Sequence, residues 1–257
     1  MSPCGWHAKT NMASPSKFPI IQLIPNLVTI IAIVAGLTAI RYGLEGNFER
    51  AVKLILLAAV LDGIDGSLAR MLKSESKVGA ELDSLADFLN FGVAPPLIMY
   101  FWALQEAKGL GWIAVLVFSI ASVLRLARFN VSAKSEDEPE TKGYFIGIPS
   151  PAGALLVMMP MFLTFAIEAG PFLPPLAVSG YVMLVGLGLI SRFPTWSFKA
   201  LQISRAYVKF LVIGLVIVGA AVMSFPWVTL FAIGIGYVGI VGWCIYTHRV
   251  PDLTKPD

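Results

Sequence analysis

The chain has 257 residues, of which 57% are hydrophobic and 14% charged. Its mean hydropathy is +0.77. A soluble domain carries about a quarter charged residues, so this composition excludes an ordinary soluble fold, and a net charge of +3 is too small to point to nucleic acid.

Residues 1–17 are polar, without the apolar stretch of a cleaved signal peptide, and Met12 stands as an alternative start to Met1. The two cysteines, Cys4 and Cys244, lie near opposite ends and imply no disulfide framework. Apolar segments then follow at roughly 26–44, 51–70, 79–104, 110–130, 150–169, 174–191, 206–223 and 226–247. Each is near the roughly 20 residues that a helix needs to cross a bilayer. The expected fold class is therefore all-α, a polytopic membrane bundle of about eight transmembrane helices. It divides into an N-terminal segment 1–25, a membrane domain 26–247 and a tail 248–257, with no internal repeat.

The basic residues set the expected orientation. With eight spans, one side holds Lys9, Lys17, Arg70, Lys73, Lys77, Arg125, Arg128, Lys134, Lys142, Arg192, Lys199, Arg205, Lys209, Arg249 and Lys255. The other holds only Arg41, Arg50, Lys53 and Lys108. The positive-inside rule puts the rich side, and both termini, in the cytoplasm. Two connections are polar. Residues 131–142 read as a solvated loop. Residues 192–205 mix basic and aromatic side chains, so two places suit them: the headgroup region or a cover over a site within the bundle.

The second and third segments carry acids, which are expensive in a membrane and ordinarily face a polar interior. Asp62 and Asp65 are three residues apart, and Asp83 and Asp87 four apart. Both spacings put a pair on one helical face. A hairpin of the two segments brings the four carboxylates to one depth, where they repel unless cations or protons intervene. Hard divalent ions suit such an oxygen-only set, and no Cys or His nearby suggests zinc. Gly66 and Ala69 share the face of the first pair, Gly79 lies one turn before Asp83, and Arg70 is placed to fork onto a phosphate. The plain alternative is solvated loop aspartates with glycines for helix packing.

The pattern D-x2-D-G-x2-A-R-x8-G-x3-D-x3-D, from Asp62 to Asp87, is complete. It resembles the signature of the CDP-alcohol phosphotransferase family. The stretches PNLVTIIAIVAGLTAI (25–40), FLNFGVAP (88–95), LRLARFN (124–130) and GIPSPAGA (147–154) are similar to the branch of that family that uses serine. The resemblance implies transfer of the phosphatidyl group of CDP-diacylglycerol to an alcohol, with release of CMP. It implies two Mg²⁺ or Mn²⁺ on Asp62, Asp65, Asp83 and Asp87, with Asp87 also the catalytic base. It implies nucleotide contacts from Asn26, Thr29, Gly66, Ala69, Arg70, Ser76 and Gly79. For Asn26 and Thr29 the other reading is a helix cap and an ordinary intrahelical threonine.

The expected acceptor is L-serine, whose carboxylate suits an arginine fork. Arg125, Arg128 and Asn130 are the candidates to bind the acceptor or a phosphate, the arginines otherwise serving as membrane anchors. Choline, glycerol 3-phosphate or inositol phosphate are the rival acceptors, and a cation transporter is the rival from another class. The resemblance further implies a homodimer among membrane lipids, and the small net charge implies no nucleic acid partner. It places the protein in the inner cell membrane, multi-pass, with its site facing the cytoplasm.

Overall fold

The structure, a computed structural model, describes residues 23–72, 76–134, 144–146, 148–168, 173–191, 194–196 and 205–247. The expected N-terminal segment up to residue 22, the C-terminal tail and most of the connections 131–142 and 192–205 lie outside the described residues. Each of the eight apolar segments falls on helix.

Helix α1 (Leu23–Leu44) and helix α2 (Phe48–Met71) form a closely packed antiparallel hairpin. Gly46, at φ +79°, makes the turn, a conformation costly for residues with a Cβ. Asn47 caps α2 by accepting the Arg50 N–H at 3.3 Å. Small residues Ala32, Ala35 and Ala58 fill the seam, which lets the two backbones approach.

Helix α3 (Lys77–Asp87) begins at its cap Ser76 and runs on through a π turn (Phe88–Val93) into helix α4 (Ala94–Met99). A second π turn (Tyr100–Leu104) and a 3-10 turn (Gln105–Ala107) follow. The sequence suggests one uninterrupted segment at 79–104, and prolines explain the difference. Pro96 has no N–H to give the Gly92 carbonyl, and the Ser119 hydroxyl donates to that oxygen instead, at 2.9 Å. The same logic splits the fifth segment into helix α6 (Ser150–Val157) and helix α7 (Met159–Ala166). Pro160 has no N–H to give the Leu156 carbonyl, and the Tyr181 hydroxyl donates to that oxygen at 2.6 Å.

Helix α5 (Gly109–Lys134) crosses the centre and packs on helix α8 (Pro175–Ile190). Gly186 permits that approach: a Cβ there would lie 2.9 Å from the Phe118 Cα. Helix α9 (Arg205–Ser224) and helix α10 (Pro226–Thr247) close the chain, α10 lying against α6 and α7. Phe91, Phe118, Phe162, Met99, Leu104 and Met161 are among the fully buried core side chains.

Around this core the outer faces stay apolar, including Leu27, Val34, Ile120, Leu184, Ile217 and Trp243, each more than 40% exposed. Soluble monomers rarely expose so broad an apolar surface. Among the described residues, Ile24–Leu44, Gly109–Val131 and Pro226–Cys244 are each long and apolar enough on their own to cross a bilayer. The protein is a helical membrane protein. Among the described residues two short strands depart from helix: β1 (Tyr144–Ile146) pairs antiparallel with β2 (Pro194–Trp196), Phe145 opposite Thr195. The pairing joins the stretch between α5 and α6 to that between α8 and α9, with β2 against α10.

Candidate active site

The site forms where α1, α2 and α3 converge. Asp62 and Asp65 descend from α2, and Asp83 and Asp87 from α3. One oxygen from each of Asp62, Asp65 and Asp83 lies within 4.8 Å of the others. Asp87 stands beside this trio, its carboxyl within hydrogen-bonding range of Asp62.

Asp65 is the most enclosed, only 3% exposed. The Thr29 hydroxyl, from α1, donates to Asp65 Oδ2 at 2.6 Å, with the Pro25 carbonyl at 3.1 Å as its alternative acceptor. Asp65 Oδ1 is buried with no hydrogen-bond partner, and so is Asp87 Oδ1. Buried acceptors are ordinarily satisfied. Three clustered carboxylates with a buried free lone pair therefore fit a hard divalent cation bound through oxygen.

Beside the carboxylates is a cleft of about 230 Å³ lined by Pro25, Asn26, Thr29, Asp65, Gly66, Ala69, Arg70, Ser76, Gly79, Ala80 and Asp83. All seven residues expected to contact a nucleotide line it; Pro25 and Ala80 were not foreseen. Ser76 shapes the cleft as the cap of α3, its hydroxyl accepting the Gly79 N–H at 2.9 Å. The two glycines differ in what they do. A Cβ on Gly79 would lie 2.9 Å from Asn26 Oδ1, so this glycine makes room for α1. A Cβ on Gly66 would meet no protein atom within 4 Å. Helix packing does not require Gly66; the space before it belongs to the cleft. Arg70 is exposed at the rim.

The three residues expected to bind the acceptor separate. Arg125, on α5, is half-buried; its Nη1 donates to the Ser150 hydroxyl at the start of α6, and it lies near Asp87. Its Nε is buried with no partner. Arg128 is exposed and donates from Nη2 to the Ile190 carbonyl at the end of α8, at 2.8 Å. Asn130 donates to the Ser84 hydroxyl at 3.1 Å and joins α5 to α3. Ser150 is a neighbour that sequence reasoning did not single out, although it stands inside the GIPSPAGA stretch. Another such residue is Asn90, within FLNFGVAP, which is fully buried against α1. A Cβ on Gly36 would lie only 2.0 Å from the Asn90 Oδ1, so the first two family-like stretches interlock at this pair.

Comparison with known proteins bears on this geometry. Residues 22–191 match the family model described as CDP-alcohol phosphatidyltransferase. The chain is 37% identical over 230 residues to the CDP-diacylglycerol--serine O-phosphatidyltransferase of Mycobacterium leprae, covering 89% of this chain and 76% of that one. It is 36% identical over 182 residues to the protein of the same name from Helicobacter pylori, covering 71% and 75%. With that of Bacillus subtilis it shares 40% over 140 residues, covering 54% and 76%. The matched region contains the aspartate trio, Asp87, the cleft and Arg125. The chain belongs to the CDP-alcohol phosphatidyltransferase family.

Proposed function

We propose that the chain transfers the phosphatidyl group of CDP-diacylglycerol to the hydroxyl of L-serine, giving phosphatidylserine and CMP. The observation that carries this reading is one junction: a trio of carboxylates adjoins a cleft lined by all seven expected nucleotide contacts. The relatives named for this reaction support the choice of acceptor.

In this reading the lipid's acyl chains stay in the bilayer and its nucleotide enters the cleft. Asn26, Gly66, Ala69, Arg70, Ser76 and Gly79 hold the cytidine and phosphates, with Arg70 at the rim facing the diphosphate. Asp62, Asp65 and Asp83 would hold the divalent ions, Mg²⁺ or Mn²⁺, with Asp87 contributing beside Asp62. Such ions, when bound, supply positive charge against the diphosphate. Thr29 fixes the orientation of Asp65. The serine hydroxyl oxygen attacks the lipid-side phosphorus, and the bond from that phosphorus to the bridging oxygen breaks. CMP leaves with that oxygen. The hydroxyl proton passes to Asp87, whose buried, unpartnered Oδ1 is suited to take it. Arg125 binds the serine carboxylate.

The same reading extends to placement. Residues 26–247 form the membrane domain, flanked by cytoplasmic segments 1–25 and 248–257. Eight spans cross the inner cell membrane, and the site faces the cytoplasm, as the distribution of Lys and Arg supports. The family resemblance adds a homodimer, which crosslinking in native membranes tests.

The primary experiment is CMP release by the purified protein in mixed micelles of CDP-diacylglycerol, with serine, choline, glycerol 3-phosphate and inositol phosphate each offered. Serine-dependent CMP and phosphatidylserine are expected. CMP release with choline or glycerol 3-phosphate faster than with serine would overturn the acceptor. No CMP release with any alcohol would overturn the enzyme and favour a cation-binding role.

A further inference from the structure

The family model ends at residue 191, yet α10 packs against α6, whose first residue, Ser150, accepts from Arg125. Tyr237, on α10, has a buried hydroxyl with no hydrogen-bond partner. It lies close enough to Arg125 for the two to interact electrostatically. Arg125 in turn donates to Ser150 and lies within electrostatic range of Asp87. Among the described residues, buried side-chain polar atoms without partners are few, and three of the side chains that carry them, Asp87, Arg125 and Tyr237, come from three sequence-distant helices, with Arg125 in electrostatic range of the other two.

Their chemistry is complementary and not random. Arg125 Nε–H and the Tyr237 O–H are donors without an acceptor. Asp87 Oδ1 is an acceptor without a donor. Leaving such groups buried and unmade is costly, so a ligand that satisfies all three carries an anionic group at one end and a protonated group at the other. A small hydroxy amino acid meets that description: its carboxylate faces Arg125 and Tyr237, and its hydroxyl or ammonium faces Asp87. Choline and ethanolamine carry no anionic group to offer the two donors.

We infer that Tyr237 is an acceptor-binding residue, donating to the substrate carboxylate alongside Arg125, so that α10 sets the preference for an amino acid over a simple amino alcohol. This rests on the serine-using reading above. It goes beyond that reading by assigning recognition to a helix outside the matched family region.

The test is Tyr237→Phe, which removes only the hydroxyl, assayed with L-serine and with ethanolamine, the same alcohol without its carboxylate. The expected result is a rise in KM for serine of roughly ten- to a hundredfold, the loss of one hydrogen bond to a charged group. The preference for serine over ethanolamine should fall by the same factor. KM for CDP-diacylglycerol, kcat and the melting temperature should stay within about twofold or a few degrees of wild type. Two results overturn the assignment while leaving the acceptor reading intact: an unchanged serine KM and preference, or a kcat loss accompanied by a lowered melting temperature, which would make Tyr237 structural. A wild-type protein that makes no phosphatidylserine overturns the acceptor reading, and this assignment with it.

Discussion

The Thr29 hydroxyl donates to one oxygen of Asp65 at 2.6 Å, while the other oxygen is buried without a partner, in a carboxylate that clusters with those of Asp62 and Asp83. Thr29 thus acts on the carboxylate trio from a different helix. Groups that orient a ligand in this way typically matter ten- to a hundredfold in metal affinity or activity. Thr29→Val keeps the shape and removes the donor; it should raise the Mg²⁺ or Mn²⁺ concentration needed for half-maximal activity by roughly that factor. Thr29→Ser should retain most of the wild-type response. A metal titration of the three proteins checks this, and an unshifted curve for Thr29→Val would leave the hydrogen bond without functional consequence.

The carboxylates themselves should separate into two behaviours. Asp62→Asn, Asp65→Asn and Asp83→Asn should each lose several orders of magnitude in CMP release, and EDTA should abolish activity that Mg²⁺ or Mn²⁺ then restores. Asp87 stands beside the trio, against Asp62 and near Arg125. Asp87→Asn should still bind CDP-diacylglycerol, read by nucleotide protection against thermal unfolding, yet fail to turn over. Near wild-type turnover in Asp87→Asn would require another base.

The glycines offer a contrast within one motif. Gly66→Ala adds a methyl group that meets no protein atom within 4 Å, so stability should change by little more than helix propensity allows. Because that methyl enters the cleft, KM for CDP-diacylglycerol should rise severalfold. Gly79→Ala presses against Asn26 Oδ1 at 2.9 Å and Ser76 Oγ at 3.0 Å, so it should lower the melting temperature as well. Equal effects of the two substitutions on folding would remove the distinction.

Much of this site was legible because helical spacing does the work locally. Asp62 with Asp65, and Asp83 with Asp87, share faces by period alone, and a short hairpin leaves the two faces little choice but to meet. What stayed hidden depends on contacts between remote segments. Nothing near Pro96 announces that Ser119, on another helix, will satisfy the Gly92 carbonyl. Nothing in the apolar run of α10 distinguishes Tyr237 from an interfacial tyrosine. The β1–β2 pairing was likewise invisible, since three-residue strands are too short to carry a periodicity.

Orientation yields its own test. Lys53, near the start of α2, lies over the Trp227 ring at the start of α10, which supports placing both helix starts on one side of the bundle. In a background lacking Cys4 and Cys244, Lys108→Cys and Lys142→Cys should label from opposite sides of sealed vesicles, with Lys142 cytoplasmic. Labelling of both from one side would overturn the eight-span topology.

The two arginines of LRLARFN should part company. Arg125 is half-buried, bonded to Ser150, near Asp87, and keeps an unpartnered Nε–H. Arg128 is exposed and already donates to the Ile190 carbonyl at the end of α8. Lysine keeps the charge but loses the planar fork. Arg125→Lys should therefore raise KM for serine roughly ten- to a hundredfold, as one lost charged hydrogen bond implies, and move KM for CDP-diacylglycerol less. Arg128→Lys should leave both constants within about threefold and affect chiefly stability, by the modest amount of one exposed contact. Serine and lipid titrations of both variants decide the matter. If Arg125→Lys weakens lipid binding while serine affinity stays intact, Arg125 belongs to the diphosphate or to a lipid headgroup; if Arg128→Lys carries the larger serine effect, the acceptor lies on the other side of α5.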